Sequence, residues 1–142
     1  MARQQSTATK PAKPSPQVRA AKRDLDGWIT HTELASADPQ ATRRWCAKVL
    51  GWEFRESLDL PDGEYQLFHY SDLGGGGIRA TRGAEPPGST PTVHVPDCRK
   101  AFDKAVREGA EVVEGPRQVM PGTVIALVRA PGGVLIGLSG ES

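Results

Sequence analysis

Nowhere in the 142 residues is there a run of about eighteen apolar side chains, so the sequence offers no membrane-spanning helix. Cysteine is equally scarce. Cys46 and Cys98 are too few for a disulfide framework, and the first thirty residues hold no apolar stretch of the kind a secretory leader needs, so a cytoplasmic protein with free thiols is expected. No sign of charge dominates either. The 18 Lys and Arg stand against 17 Asp and Glu, a formal net charge of +1, and neither nucleic acid nor membrane is expected as a partner. The length excludes a multidomain enzyme, while 37% hydrophobic residues with three Trp suffice for one sizeable core.

What charge there is lies unevenly. Six basic residues and no acidic one precede Asp24, leaving twelve basic against seventeen acidic residues, a net −5, on the remainder. Residues 1–26 hold three prolines and, beyond alanine, only the aliphatics Val18 and Leu25, too little apolar surface to offset the entropy of ordering. A disordered basic tail is expected there. Its role, a solvated extension or an arm for an acidic partner, stays open.

From Trp28 the texture changes. Trp28–Ala35 reads as a strand, Asp38-Pro39 as a helix start, and Ala41, Trp45, Cys46, Val49 and Leu50 as one apolar stripe ending at Gly51. Strands follow over Trp52–Leu58, Glu64–Tyr70 and Gly77–Thr81, with Pro61-Asp62-Gly63 as the first turn. The second half repeats this order: a strand over Thr90–Val95, a helix opened by Asp97 and stopped at Gly109, then strands over Glu111–Gln118, Thr123–Ala130 and Val134–Ser139. Laying Asp38 on Asp97 keeps the halves in register within one residue, which marks an internal duplication. The expected organisation is one domain over residues 27–142, with module one at 27–88 and module two at 89–142.

Four stretches carry a family likeness: HTELASADPQATRRWCAKVLGWEF, GGGGI, TVHVPDCRKAFDKAVREGAEVV and APGGVLIGL. In that order they resemble the vicinal oxygen chelate superfamily, which includes glyoxalase I, extradiol dioxygenases, methylmalonyl-CoA epimerase and bleomycin- and fosfomycin-resistance proteins, and within it a branch of small glyoxalase-related proteins. The resemblance covers roughly residues 27–140. It implies an α+β fold of two βαβββ modules with pseudo-two-fold symmetry, whose curled mixed sheets surround a cleft.

In metal-using members each module supplies one ligand from its first strand and one, usually Glu, from its fourth, around a divalent ion with open positions for substrate oxygens. Carried onto this sequence, those positions are His31, a residue of the GGGGIRAT stretch, Thr90 and Gly137, so only His31 is retained. No cofactor is expected. A rearranged ion site using His31, Glu33 and His94 is the less favoured alternative.

Strand parity places His31 with Glu33, and Thr90 with Thr92 and His94. His31, Glu33, Phe68, Arg79, Thr92 and His94 are the candidate ligand-binding residues, with Arg79 an anchor for an anionic substituent and Phe68 apolar contact area. His31 and Glu33 are also the candidate catalytic pair, since a carboxylate raises imidazole basicity and sets its tautomer. For His31 and His94 a plain role within the sheet stays equally open. Gly74–Gly77 lacks the Lys-Ser/Thr of a phosphate loop and reads as close backbone approach or strand entry. Cys46 reads as core, Trp45 and Trp52 as core or helix-to-sheet contacts. Cys98 stands in a first helical turn, where a dipole lowers a thiol pKa.

The expected function is recognition of a small organic molecule in the cleft without a tightly bound metal; the alternative is a lyase or isomerase using His31/Glu33 acid–base chemistry or a non-standard divalent site. A homodimer is an expected assembly. Deleting residues 1–25 should leave the melting temperature nearly unchanged in a thermal melt, whereas a fall of more than a few degrees would show that the arm packs on the body.

Overall fold

The computed structural model describes residues 24–142. Eight strands and two helices follow in the order β1 (Ile29–Ser36), α1 (Pro39–Trp45), β2 (Glu53–Leu60), β3 (Gly63–His69), β4 (Gly75–Ala80), β5 (Gly88–His94), α2 (Cys98–Arg107), β6 (Glu111–Met120), β7 (Thr123–Arg129) and β8 (Leu135–Gly140). The βαβββ path runs twice, as the duplication required. Both helices open on an aspartate: Asp38 Oδ1 accepts from Ala41 N at 3.1 Å and Asp97 Oδ1 from Lys100 N at 3.0 Å.

The strands form one mixed, curled sheet in the order β2-β3-β4-β1-β5-β8-β7-β6. Within each module the order is second, third, fourth, first, and the modules meet through their first strands. β1 pairs antiparallel with β5, while β1–β4 and β5–β8 are parallel. This arrangement has the two-fold pattern expected of the duplication.

The helices cover one face. Cys98, Ala101 and Phe102 of α2, with Val95 before it, pack on Val124, Ala126 and Leu138 of the sheet. Under module one, Phe68 is fully buried, its ring 4.3 Å from that of Trp52 and 5.7 Å from that of Phe54, while Arg43 lies 5.2 Å over Phe54. The apolar stripe expected along α1 is not all buried. Cys46 is, but Trp45 is 56% exposed and Val49 58%. After Trp45 the chain widens into a π-helical segment (Cys46–Leu50), so a stripe spaced at 3.6 residues per turn loses its register. Cys98, for which a lowered thiol pKa was conceivable, is fully buried with Sγ 3.7 Å from Leu138 O, and burial pushes its thiol up.

The glycine run is a strand whose missing side chains are used by its neighbours. A Cβ on Gly76 would stand 1.9 Å from Thr32 O and 2.5 Å from Phe68 Cζ; on Gly77 it would stand 2.1 Å from the Tyr65 ring. On one face Phe68 lies over β4, and on the other Tyr65 does.

The segment joining the modules is pinned by charge. Arg79 donates to Glu85 through Nη1 at 2.6 Å and Nη2 at 2.8 Å, and Arg82 pairs with Asp62. Of the tail, residues 1–23 lie outside the described residues. Leu25 O accepts from Trp28 N at 2.9 Å, and Gly27 N donates to His94 O at 2.8 Å.

Two outcomes follow. Gly76→Ala should destabilise by about 3 kcal/mol or more, because the obstructing Thr32 oxygen is backbone and cannot rotate away, whereas Gly115→Ala, with open space around it, should stay within about 0.5 kcal/mol in thermal unfolding. The hydrogen bonds from Arg79 hold the Glu85 carboxyl at about 2, below its ordinary 4.5. A depressed carboxylate stabilises the fold above its unfolded pKa and loses that contribution as pH falls through its folded one. Glu85→Gln should therefore flatten the stability loss between about pH 4.5 and 2 in urea titrations.

Candidate functional site

On the face away from the helices, pairing aligns one residue from each strand into a row: Glu53, His69, Gly75, His31, Thr92, Gly137, Leu127 and Glu114. His31 and Thr92 occupy its centre, at the junction of the modules. The adjoining pair, one pleat along, is Glu33 and Thr90. Four residues read from the sequence as sharing a face thus do so, because an antiparallel pair places directly opposite residues on the same side.

Each of the sequence-derived candidates has a definite place. His31 Nε2 lies 2.7 Å from the hydroxyl of Tyr65, with the two rings nearly parallel at 16°. Burial lowers the His31 pKa and the nearby Glu33 charge opposes this only in part, so the ring is neutral at neutral pH. Glu33 Oε1 accepts from Arg79 Nε at 2.7 Å. Of the partners open to Glu33, His31 or a cation such as Arg79, the structure has Arg79, and His31 is held by Tyr65. Arg79, considered as an anchor for an anion, directs its donors to Glu33, Glu85 and the Ala80 carbonyl. His94 stands two residues beyond Thr92 at the end of β5, its Nε2 3.7 Å from Asp26 Oδ1. Phe68, expected in the cleft, lies on the helix-bearing face, because residue parity along β3 turns it to the side opposite Tyr65.

Tyr65 is the site residue that sequence reasoning missed. It sits on β3 two residues before Leu67 and four before His69, an alternation that marks one face, but only the pairing of β3 with β4 and β4 with β1 carries its ring over Gly77 to His31. Burial and the Glu33 charge push its phenol far above the ordinary value, so the hydroxyl keeps its proton.

Of the four positions that hold a divalent ion in metal-using members, Thr90 offers only a hydroxyl, and the other three do not fit an ion here. His31 Nε2 is taken by Tyr65. The cleft-facing glycines of β4 carry no donor, and the space beside Gly77 is filled by the Tyr65 ring. A Cβ on Gly137 would stand 2.5 Å from Thr92 Oγ1, so threonine fills that corner. His94 is too far along β5 to complete the rearranged set, and among the described residues no three His, Cys, Asp or Glu side chains gather closely enough for an ion. A separate groove of about 430 Å³, lined by Gly51, Glu53, Arg55, His69, Tyr70, Ser71 and Asp72, opens at the module-one end of the row.

Residues 28–138 match the model of the Glyoxalase/Bleomycin resistance protein/Dioxygenase superfamily. No curated protein sequence matches the chain. Among solved structures, it is similar to a hypothetical protein from Bacillus halodurans C-125, with a TM-score of 0.64 at 14% identity over 80% of this chain and 94% of that one. Methylmalonyl-CoA epimerase from Mycobacterium tuberculosis gives a TM-score of 0.64 at 20% identity, over 84% and 91% of the chains. A Streptomyces coelicolor methylmalonyl-CoA epimerase in complex with 2-nitronate-propionyl-CoA gives 0.62 at 17% identity, over 84% and 99%. Among the described residues no helix is long and apolar enough to cross a membrane. With the duplicated βαβββ sheet and a family model spanning most of its length, the chain belongs to the glyoxalase/bleomycin resistance protein/dioxygenase superfamily.

Proposed function

We propose that this protein binds a small organic molecule in the cleft through hydrogen bonds, without a tightly bound metal. The observation that carries the reading is the replacement of the ligand set: protein side chains, Tyr65 and Thr92, fill the spaces beside Gly77 and Gly137, and Tyr65 occupies His31 Nε2. What remains is a concave floor with a few polar groups, His31, Glu33, Thr90 and Thr92, beside apolar Leu127, the usual composition of a small-molecule site.

A second reading, a lyase or isomerase acting by proton transfer, is favoured by the state of His31. No described group bonds its Nδ1, and no buried side-chain nitrogen or oxygen lacks a partner, so Nδ1 keeps access to the cleft. A neutral imidazole with one nitrogen held and the other open is a competent base.

Elemental analysis of purified protein should find far less than one Zn, Ni, Mn or Fe per chain; stoichiometric metal that disappears in His31→Ala would overturn the metal-free reading. For any compound that raises the melting temperature in a metabolite screen, His31→Ala or Thr92→Val should weaken binding about ten- to a hundredfold, the equivalent of roughly 1–3 kcal/mol for a lost partner in a desolvated site. Unfolding by both substitutions with ligand affinity unchanged would make these residues structural. Abolished turnover with binding intact would favour the enzyme.

A further inference from the structure

The cleft floor is rich in acceptors, and its nearest cation is held between two carboxylates. Arg79 donates from Nε to Glu33, from Nη1 to Glu85 and the Ala80 carbonyl, and from Nη2 to Glu85. One guanidinium between two carboxylates leaves a net charge of −1. The Arg79 side chain is 10% exposed while that of Glu33 is 34% exposed, so the surface offered to the cleft is the carboxylate and not the cation. On module two, two cations share this face: Arg129 donates to Gly133 O at 3.0 Å and stands opposite Glu111, and Arg117 pairs with Glu114.

We propose that the cleft selects an organic cation, a protonated amine that donates N–H bonds to the exposed Glu33 carboxylate beside His31, and discriminates against carboxylates and phosphates. This rests on the reading of the cleft as a small-molecule site and reverses the expectation that Arg79 anchors an anion. A carboxylate placed here meets Glu33, and the Arg79 beside it already serves two carboxylates. An ammonium meets an exposed carboxylate and a net negative floor.

Three probes of one shape separate the alternatives: benzylammonium, benzyl alcohol and benzoate, titrated into the full-length ¹⁵N-labelled protein while the ring signals of His31 are followed among its three histidines. Benzylammonium should shift His31 and bind at least about tenfold more tightly than benzoate, and Glu33→Gln should erase that preference. Benzoate binding at His31 as tightly as benzylammonium overturns the charge assignment and leaves the small-molecule reading standing. Failure of all three probes to move His31 up to their solubility limits sinks both.

Discussion

The antiparallel pairing of β1 with β5 is the contact on which the remainder of the molecule depends. It joins two modules that would otherwise each end in an open first strand, and it sets His31 against Thr92 and Glu33 against Thr90 at the middle of the sheet. Because opposite residues in such a pair share a face, one register decides both the continuity of the eight-stranded sheet and the composition of the cleft floor. A slip of one residue would turn His31 and Glu33 toward the helices. The cleft residues and the core residues are thus held apart by the same ladder of hydrogen bonds.

Glycine does the second part of the work, by absence. Strand β4 carries no side chain at three successive positions, and the rings of Phe68 and Tyr65 pass over it on opposite faces. The first completes an aromatic cluster with Trp52 and Phe54; the second reaches across to His31. Module two repeats the device on a smaller scale, with Thr92 occupying the space beside Gly137. A carboxylate inserted at Gly77 or Gly137 would have to expel a buried ring or a threonine.

Electrostatics then gives the floor its sign. Glu33 is costly to leave buried and unpaired, and Arg79 meets that need, but Glu85 holds the same guanidinium from the inter-module segment. The arrangement is satisfied as a network and negative as a whole. Tyr65, bonded to the imidazole, keeps its proton, since burial and Glu33 both disfavour a phenolate.

Much of this was legible along the chain. The two Asp-led helices, the strand segments, the duplication and the shared face of His31 and Glu33 follow from local propensity, capping chemistry and a period of two, and these depend on neighbours a few residues away. What only the tertiary structure decided lies between strands far apart in sequence. Tyr65 reaches His31 across Gly77, thirty-four residues along the chain; Phe68 falls on the helix face and not in the cleft; Arg79 is taken by Glu85; and the α1 stripe is broken by a π-helical turn. Parity tells which residues of one strand lie together but not which face of it meets the cleft, nor which partner reaches a charge first. Those choices belong to register and to the space that glycine leaves open.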